Sequence, residues 1–176
     1  MGGVYRLFAG LLEYPTAALG GQAQECRDLL SGSGSPAAAV LGRFCGWVEQ
    51  APPAQLEEVY TRTFDLQAVC SPYVGYQLFG DSYKRGMLMA RLNQGYRERG
   101  FSAGSELPDH VAVVLRFLDL GAEDEFSQAL LRDGLLPALG KMAQAFADPC
   151  DNPYCEVIGA LLLALDDRSE RGVGDA

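Results

Sequence analysis

The chain has 176 residues, 48% of them apolar, and sets 14 basic residues against 23 acidic ones for a net charge of −9. That is enough for one domain with a real core and short for two, and the apolar share excludes wholesale disorder. The acidic balance argues against a nucleic-acid partner, which needs clustered Lys and Arg, and permits attraction to a cationic segment of a protein partner.

Val4, Leu7, Phe8, Leu11 and Leu12 follow the i, i+3, i+4, i+7, i+8 pattern and predict a first helix that Pro15 stops. No charged n-region precedes a long apolar stretch here, so a secretory signal is not expected. Arg6 stands where a myristoylation signal wants Ser or Thr. A second helix over about 17–31 ends at Ser31-Gly32-Ser33-Gly34-Ser35. Pro36 suits the first turn of a third helix carrying Val40, Leu41, Phe44, Trp47 and Val48, which Ala51-Pro52-Pro53 breaks. A fourth runs from about Ala54 through Leu56, Val59, Tyr60 and Phe64.

Pro72, Gly75 and Gly80 interrupt residues 65–80, which read as irregular or short-helical with Tyr73, Tyr76 and Phe79 close together. A long helix is predicted over 81–99, with Asp81 or Ser82 near its cap and Tyr83, Met87, Ala90 and Tyr96 along one face. Gly100 to Ser105 is the best internal boundary and a candidate hinge between two helical halves. The sixth helix is expected from Pro108 with Val111, Val114, Leu115 and Leu118 on its apolar face, and the seventh over 124–147 with Pro137 kinking or dividing it. A last helix covers about 151–167. The polar run from Arg168 reads as frayed, so the helical domain is bounded at 1–169 and 170–176 is a flexible tail. Val157 to Leu165 is far shorter than the roughly 20 residues a membrane span needs. No stretch alternates with period two and no internal repeat is found, so the fold class is all-α, a single globular multi-helix domain.

Cys26, Cys45, Cys70, Cys150 and Cys155 are odd in number and scattered, without a C-x-x-C, which suits reduced thiols in a cytosol. The most informative local feature is Glu106-Leu107-Pro108-Asp109-His110, which contains the sole histidine. An imidazole beside carboxylates invites an acid–base reading. Yet neighbours on a helix do not face each other, and Pro108 with Glu106 and Asp109 is what a helix start favours near the positive end of its dipole. No spacing offers a metal ligand set, a phosphate loop or a nucleophile elbow. Lys84, Arg85, Arg91, Arg97 and Arg99 form a basic cluster that reads first as a solvated face and otherwise as a contact with an acidic patch. Tyr60, Phe64, Tyr73, Tyr76, Phe79 and Tyr83 are mostly core by default, although aromatics among Gly and Pro also suit a peptide groove.

At these residues the chain resembles a known family. The run Tyr60-Thr61-Arg62-Thr63-Phe64-Asp65-Leu66 is followed by Ser71-Pro72-Tyr73, by Gly80-Asp81-Ser82-Tyr83-Lys84-Arg85-Gly86 and by Glu106-Leu107-Pro108-Asp109-His110. Their order and spacing, with the opening Tyr5 to Pro15, are similar to the nitrate reductase molybdenum-cofactor assembly chaperones, the NarJ or delta-subunit-like branch of the TorD/DmsD redox-enzyme maturation chaperones. The similarity covers roughly residues 4–165. It implies the TorD/DmsD/NarJ-like helical fold, a cytoplasmic protein without catalysis or cofactor of its own, and no direct membrane insertion. Such chaperones bind the N-terminal or twin-arginine-type segment of an apo molybdoenzyme catalytic subunit and hold it for insertion of the bis-molybdopterin guanine dinucleotide cofactor. The client is nitrate reductase-like, or a related molybdoenzyme. The family motifs place the client-contact region around Tyr60, Phe64, Asp65, Tyr73 and Tyr83, with Glu106, Asp109 and His110 nearby. Asp65, Glu106 and Asp109 are then expected to meet client arginines while aromatics bury an apolar helix face, and Asp65→Ala or Asp109→Ala is expected to weaken client binding without unfolding the protein. A monomer or weak dimer is expected. The rival readings are a small hydrolase or nucleotide-binding enzyme using His110 with Asp109, and a plain helical scaffold.

Overall fold

Proline and glycine set most of the helix ends. The computed structural model describes residues 3–121 and 123–172, with side chains in the last helix as far as Asp166. Helix α1 spans Val4–Leu11, α2 Leu19–Gly32 and α3 Ala37–Gln50, the last starting directly after Pro36. The Pro52-Pro53 pair ends α3 and also starts the next helix: α4 is Pro53–Phe64, with Pro53 at its first turn, where a missing N–H costs nothing. The interrupted stretch holds one short helix, α5 (Val74–Phe79), and α6 follows over Tyr83–Glu98 with Ser82 at its cap position. Among the described residues the only extended pairing is one isolated antiparallel bridge, Tyr73 to His110.

Of the four residues expected along one face of α6, Tyr96 is buried while Tyr83, Met87 and Ala90 are exposed. Tyr83 is 82% exposed and Met87 57% exposed, while Leu92, Gly95 and Tyr96 make the buried face. Gly95 explains the choice. A Cβ there would stand 2.4 Å from Cζ of Phe126, so the backbone of α6 approaches that ring directly. The helix spends its small residue on close packing and leaves its larger apolar ones outside.

Helix α7 is Val111–Leu118 and not a helix begun at Pro108. Its cap is His110, whose Nδ1 accepts from the Ala112 N–H at 3.1 Å. All of its residues except Arg116 are buried, so it is the central helix and not an amphipathic surface one. The predicted 124–147 helix is divided: α8 (Glu125–Ala129), a π-helical turn (Leu130–Leu135) and α9 (Leu136–Gln144). Pro137 lies in the first turn of α9, and the wider turn before it accommodates the lost donor. Helix α10, Tyr154–Gly172, continues past the point where the polar tail is expected to begin; residues 173–176 lie outside the described residues.

In the packing, α1 lies on α7 and α2, α3 lies on α2 and α10, and α10 on α9; α5 bridges α6 and α9. Two aromatic clusters anchor this arrangement. Tyr154, fully buried, sits among Phe64, Phe44 and Tyr60 with ring centroids at 4.9, 5.4 and 5.9 Å. Phe101 packs edge-on to Tyr96 at 5.0 Å and to Phe117 at 5.6 Å, which ties the 100–105 segment to α6 and α7. Asn152 joins the start of α10 to α4, donating to Thr63 Oγ1 at 2.8 Å and accepting from the Tyr154 N–H at 3.0 Å.

Candidate functional site

The Glu106–His110 turn is held from several sides. Val74 donates to the Asp109 carbonyl at 2.7 Å and Val111 donates to the Pro72 carbonyl at 2.8 Å, so the turn and the start of α5 are stapled through backbone. Tyr96 Oη donates to the Pro108 carbonyl at 2.8 Å. Asp109 is fully buried, and its carboxylate is gripped by Arg85 of α6: Nε to Oδ2 is 2.8 Å and Nη2 to Oδ1 is 3.3 Å. The same guanidinium lies over Tyr73, with its carbon 5.1 Å from the ring centroid, and over Tyr76 at 5.8 Å. Arg85 is thus an interior cation within a cluster that otherwise reads as a solvated face, and Arg99 likewise leaves that face to pair with Asp124 at 2.8 Å. Gly75 is required beside the pair, since a Cβ there would meet Asp109 Oδ2 at 2.8 Å.

Asp109 therefore does not cap α7 and presents no oxygen to the surface. His110 does not contact it through the ring. Instead its Nδ1 is occupied as the helix cap and its ring stands edge-on to Tyr73 at 5.3 Å. Because Nδ1 accepts, the neutral ring carries its proton on Nε2. Burial lowers the His110 pKa below its ordinary value, partly offset by Glu106 and Asp109.

A cavity of about 390 Å³ opens beside this turn, walled by Glu13 and Tyr14 after α1, Tyr60 of α4, Glu106, His110 and Arg116. Tyr73 donates to Glu106 Oε1 at 3.3 Å, and the Leu107 N–H binds the same oxygen at 2.8 Å. Glu13 pairs with Arg116, which pulls its pKa down, while burial, the larger effect, and the neighbouring Glu106 carboxylate leave it above its ordinary value. The cavity wall thus carries two carboxylates and one guanidinium, a net acidic lining. Tyr14 also forms a wall of a second, shallower groove of about 490 Å³ along α4, lined by Glu57, Glu58, Thr61, Arg62 and Leu66.

Of the residues singled out from sequence, Tyr60, Glu106 and His110 line the cavity, and Tyr73 is attached to it through Glu106. Phe64 is core, packed on Tyr60 and Tyr154. Asp65 is exposed at the end of α4, next to Leu66. Tyr83 stands apart on the outward face of α6. Glu13, Tyr14, Val113, Arg116 and the stretch 102–105 also line the cavity, and sequence reasoning singled out none of them as site residues; an aromatic between a helix end and Pro15 is the one local signal they leave. Among the described residues no group of three or more His, Cys, Asp or Glu is placed to hold a metal ion, and no helix is long and apolar enough to cross a membrane.

Comparison with known proteins identifies the lineage. The family described as nitrate reductase delta subunit matches residues 31–158. The chain belongs to this family. It is 35% identical over 159 residues to a nitrate reductase-like protein NarX of Mycobacterium tuberculosis (strain CDC 1551 / Oshkosh), an alignment covering 90% of this chain and 24% of that protein. It is 32% identical over 112 residues to the nitrate reductase molybdenum cofactor assembly chaperone NarJ of Escherichia coli (strain K12), covering 61% of this chain and 48% of NarJ. The chain thus spans about a quarter of NarX and about half of that NarJ. A crystal structure from Archaeoglobus fulgidus, named for redox enzyme maturation, aligns over 92% of this chain and 91% of its own with a TM-score of 0.63 and 24% identity, which establishes the shared helical fold.

Proposed function

We propose that this delta-subunit family member is a chaperone that binds the N-terminal segment of a molybdoenzyme catalytic subunit, nitrate reductase-like, in the cytoplasm, and holds it while the molybdenum cofactor is inserted. The observation that carries the reading is the cavity at Tyr14 and Tyr60. There Glu13 and Glu106 line one cavity that holds a single guanidinium, Arg116, already paired with Glu13, next to aromatic walls and a groove lined by Glu57, Glu58, Arg62 and Leu66. A segment that combines basic residues with an apolar helix face is complementary to that surface. The chaperone name carried by NarJ supports the same reading.

The His110–Asp109 hydrolase has less support. Arg85 engages both oxygens of Asp109, and the Ala112 amide engages Nδ1 of His110, so the two side chains are not an acid–base pair. The chaperone has no reaction of its own in this proposal.

The test is calorimetric titration with a peptide of the client's N-terminus at low and high salt. Glu13→Gln with Glu106→Gln should weaken binding on the order of tenfold at low salt and less at high salt. Equal affinity for the wild type and this double variant at both salt concentrations defeats the assignment.

A further inference from the structure

Apart from Tyr76, which packs against Arg85, the outward face of α5 and α6 is not used by the site described above. Tyr76, Phe79, Tyr83 and Met87 are all exposed there, at 45%, 42%, 82% and 57%. Tyr83, Met87, Ala90 and Gln94 recur at helical spacing, so they share one stripe of α6, and Lys84 and Arg91 flank it one turn-face away. Neither Lys84 nor Arg91 has an ion-pair partner among the described residues. Exposed Tyr, Phe, Met and Arg are the residue types enriched at protein interfaces. In a chain of net charge −9 this stretch is locally basic even with Arg85 neutralised by Asp109, since α6 leaves Lys84, Arg91 and Arg97 against Glu98 alone.

The same chain carries the complement. The groove along α4 offers Glu57 and Glu58, with Arg62 as its one cation, beside the exposed apolar Tyr14 and Leu66, at 54% and 73%. One surface is basic and aromatic and the other acidic and apolar, and they lie on different elements. We propose that the α5–α6 face docks onto the Tyr14–Leu66 groove of a second copy of this chain, so that empty copies cover one another's client groove and a client segment displaces them. This rests on the reading of that groove as part of the client site. The contact is head-to-tail, so each dimer leaves one free surface of each kind and association continues into rings or longer chains.

The test uses two variants of the full chain, checked for folding by circular dichroism. Tyr83→Asp with Met87→Asp spoils the α6 face and keeps the groove. Glu57→Lys with Glu58→Lys spoils the groove and keeps the α6 face. Sedimentation velocity over rising concentration should show wild type growing beyond a dimer, weakened on the order of tenfold by high salt. Each variant alone should remain monomeric, and their mixture should form a one-to-one dimer that goes no further. A wild type that stays monomeric throughout overturns the proposal, and so does a Glu57→Lys/Glu58→Lys variant that still self-associates, which would mean that α6 pairs with α6. A fluorescent client peptide, titrated at protein concentrations too low for self-association, tests the groove separately. If it fails to bind, the chaperone reading falls while the association result stands by itself. If it binds wild type yet leaves association unchanged at high concentration, the competition is refuted.

Discussion

Arg85 holds both carboxylate oxygens of Asp109 from the neighbouring helix, with Asp109 fully buried and the Arg85 side chain only 16% exposed. A buried pair of this kind is costly to break from one side, because the partner left behind is a charge without water. Asp109→Ala should therefore destabilise the fold by about 3–5 kcal/mol, a drop in Tm on the order of 10 °C. Replacing both, Arg85→Met with Asp109→Leu, should recover much of the loss. Thermal unfolding followed by circular dichroism measures each. An Asp109→Ala protein with unchanged Tm and weakened client binding would restore Asp109 as a client contact and remove it from the frame.

Gly95 makes a second prediction. Gly95→Ala places a methyl within the Phe126 ring, with contacts of 2.4 and 2.5 Å that must be relieved by moving the ring or the helix. The expected cost is about 1–3 kcal/mol. Adding Phe126→Leu should return part of it, and a urea titration of the single and double variants decides.

His110 gives the chain a pH-dependent term of definite sign. Its folded pKa lies below the unfolded value, because burial disfavours the imidazolium more than Glu106 and Asp109 favour it. The unfolded chain then takes up the proton first. The stabilising contribution of neutral His110 is complete above about pH 6.5 and is lost as pH falls below that value. Protonation also removes the acceptor that caps α7. His110→Asn keeps an acceptor at the cap without the titration, so its stability should decline less than that of the wild type between pH 7 and 5.5. Parallel slopes in denaturant titrations across that window refute the assignment.

The groove is testable without touching the core. Leu66 is 73% exposed, so Leu66→Glu should leave stability within about 0.5 kcal/mol. Facing Glu57 and Glu58, the new carboxylate should repel nothing in a basic client yet remove an apolar anchor, and client affinity should fall roughly tenfold, near 1.4 kcal/mol. Calorimetry on the same peptide reads it directly.

Helix existence was legible in the sequence because Pro15, Pro36, Pro52, Gly80 and Pro137 punctuate it. The inner face of α6 was legible only at Tyr96. Tyr83, Met87 and Ala90 fit an apolar stripe as well as any core face does, whereas the decisive residue, Gly95, has no side chain to announce a contact with Phe126 from a distant helix. Asp109 misled for a related reason. An acid following proline is what a helix start favours, and its true partner Arg85 lies 24 residues earlier inside a run of cations. The cavity draws on the turn after α1, on α4, on α7 and on the 102–106 loop, so only tertiary structure brings Glu13, Tyr14 and Arg116 to Glu106 and His110.

The backbone staple between Pro72–Val74 and Asp109–Val111 has a consequence for how the site breathes. Two amides, Val74 and Val111, are locked by bonds of 2.7 and 2.8 Å across a connection with no sheet around it. Their protons should exchange with solvent only when the start of α5 and the cap of α7 separate. They are slow reporters of that separation, and their protection in deuterium measures the free energy of opening between the two elements.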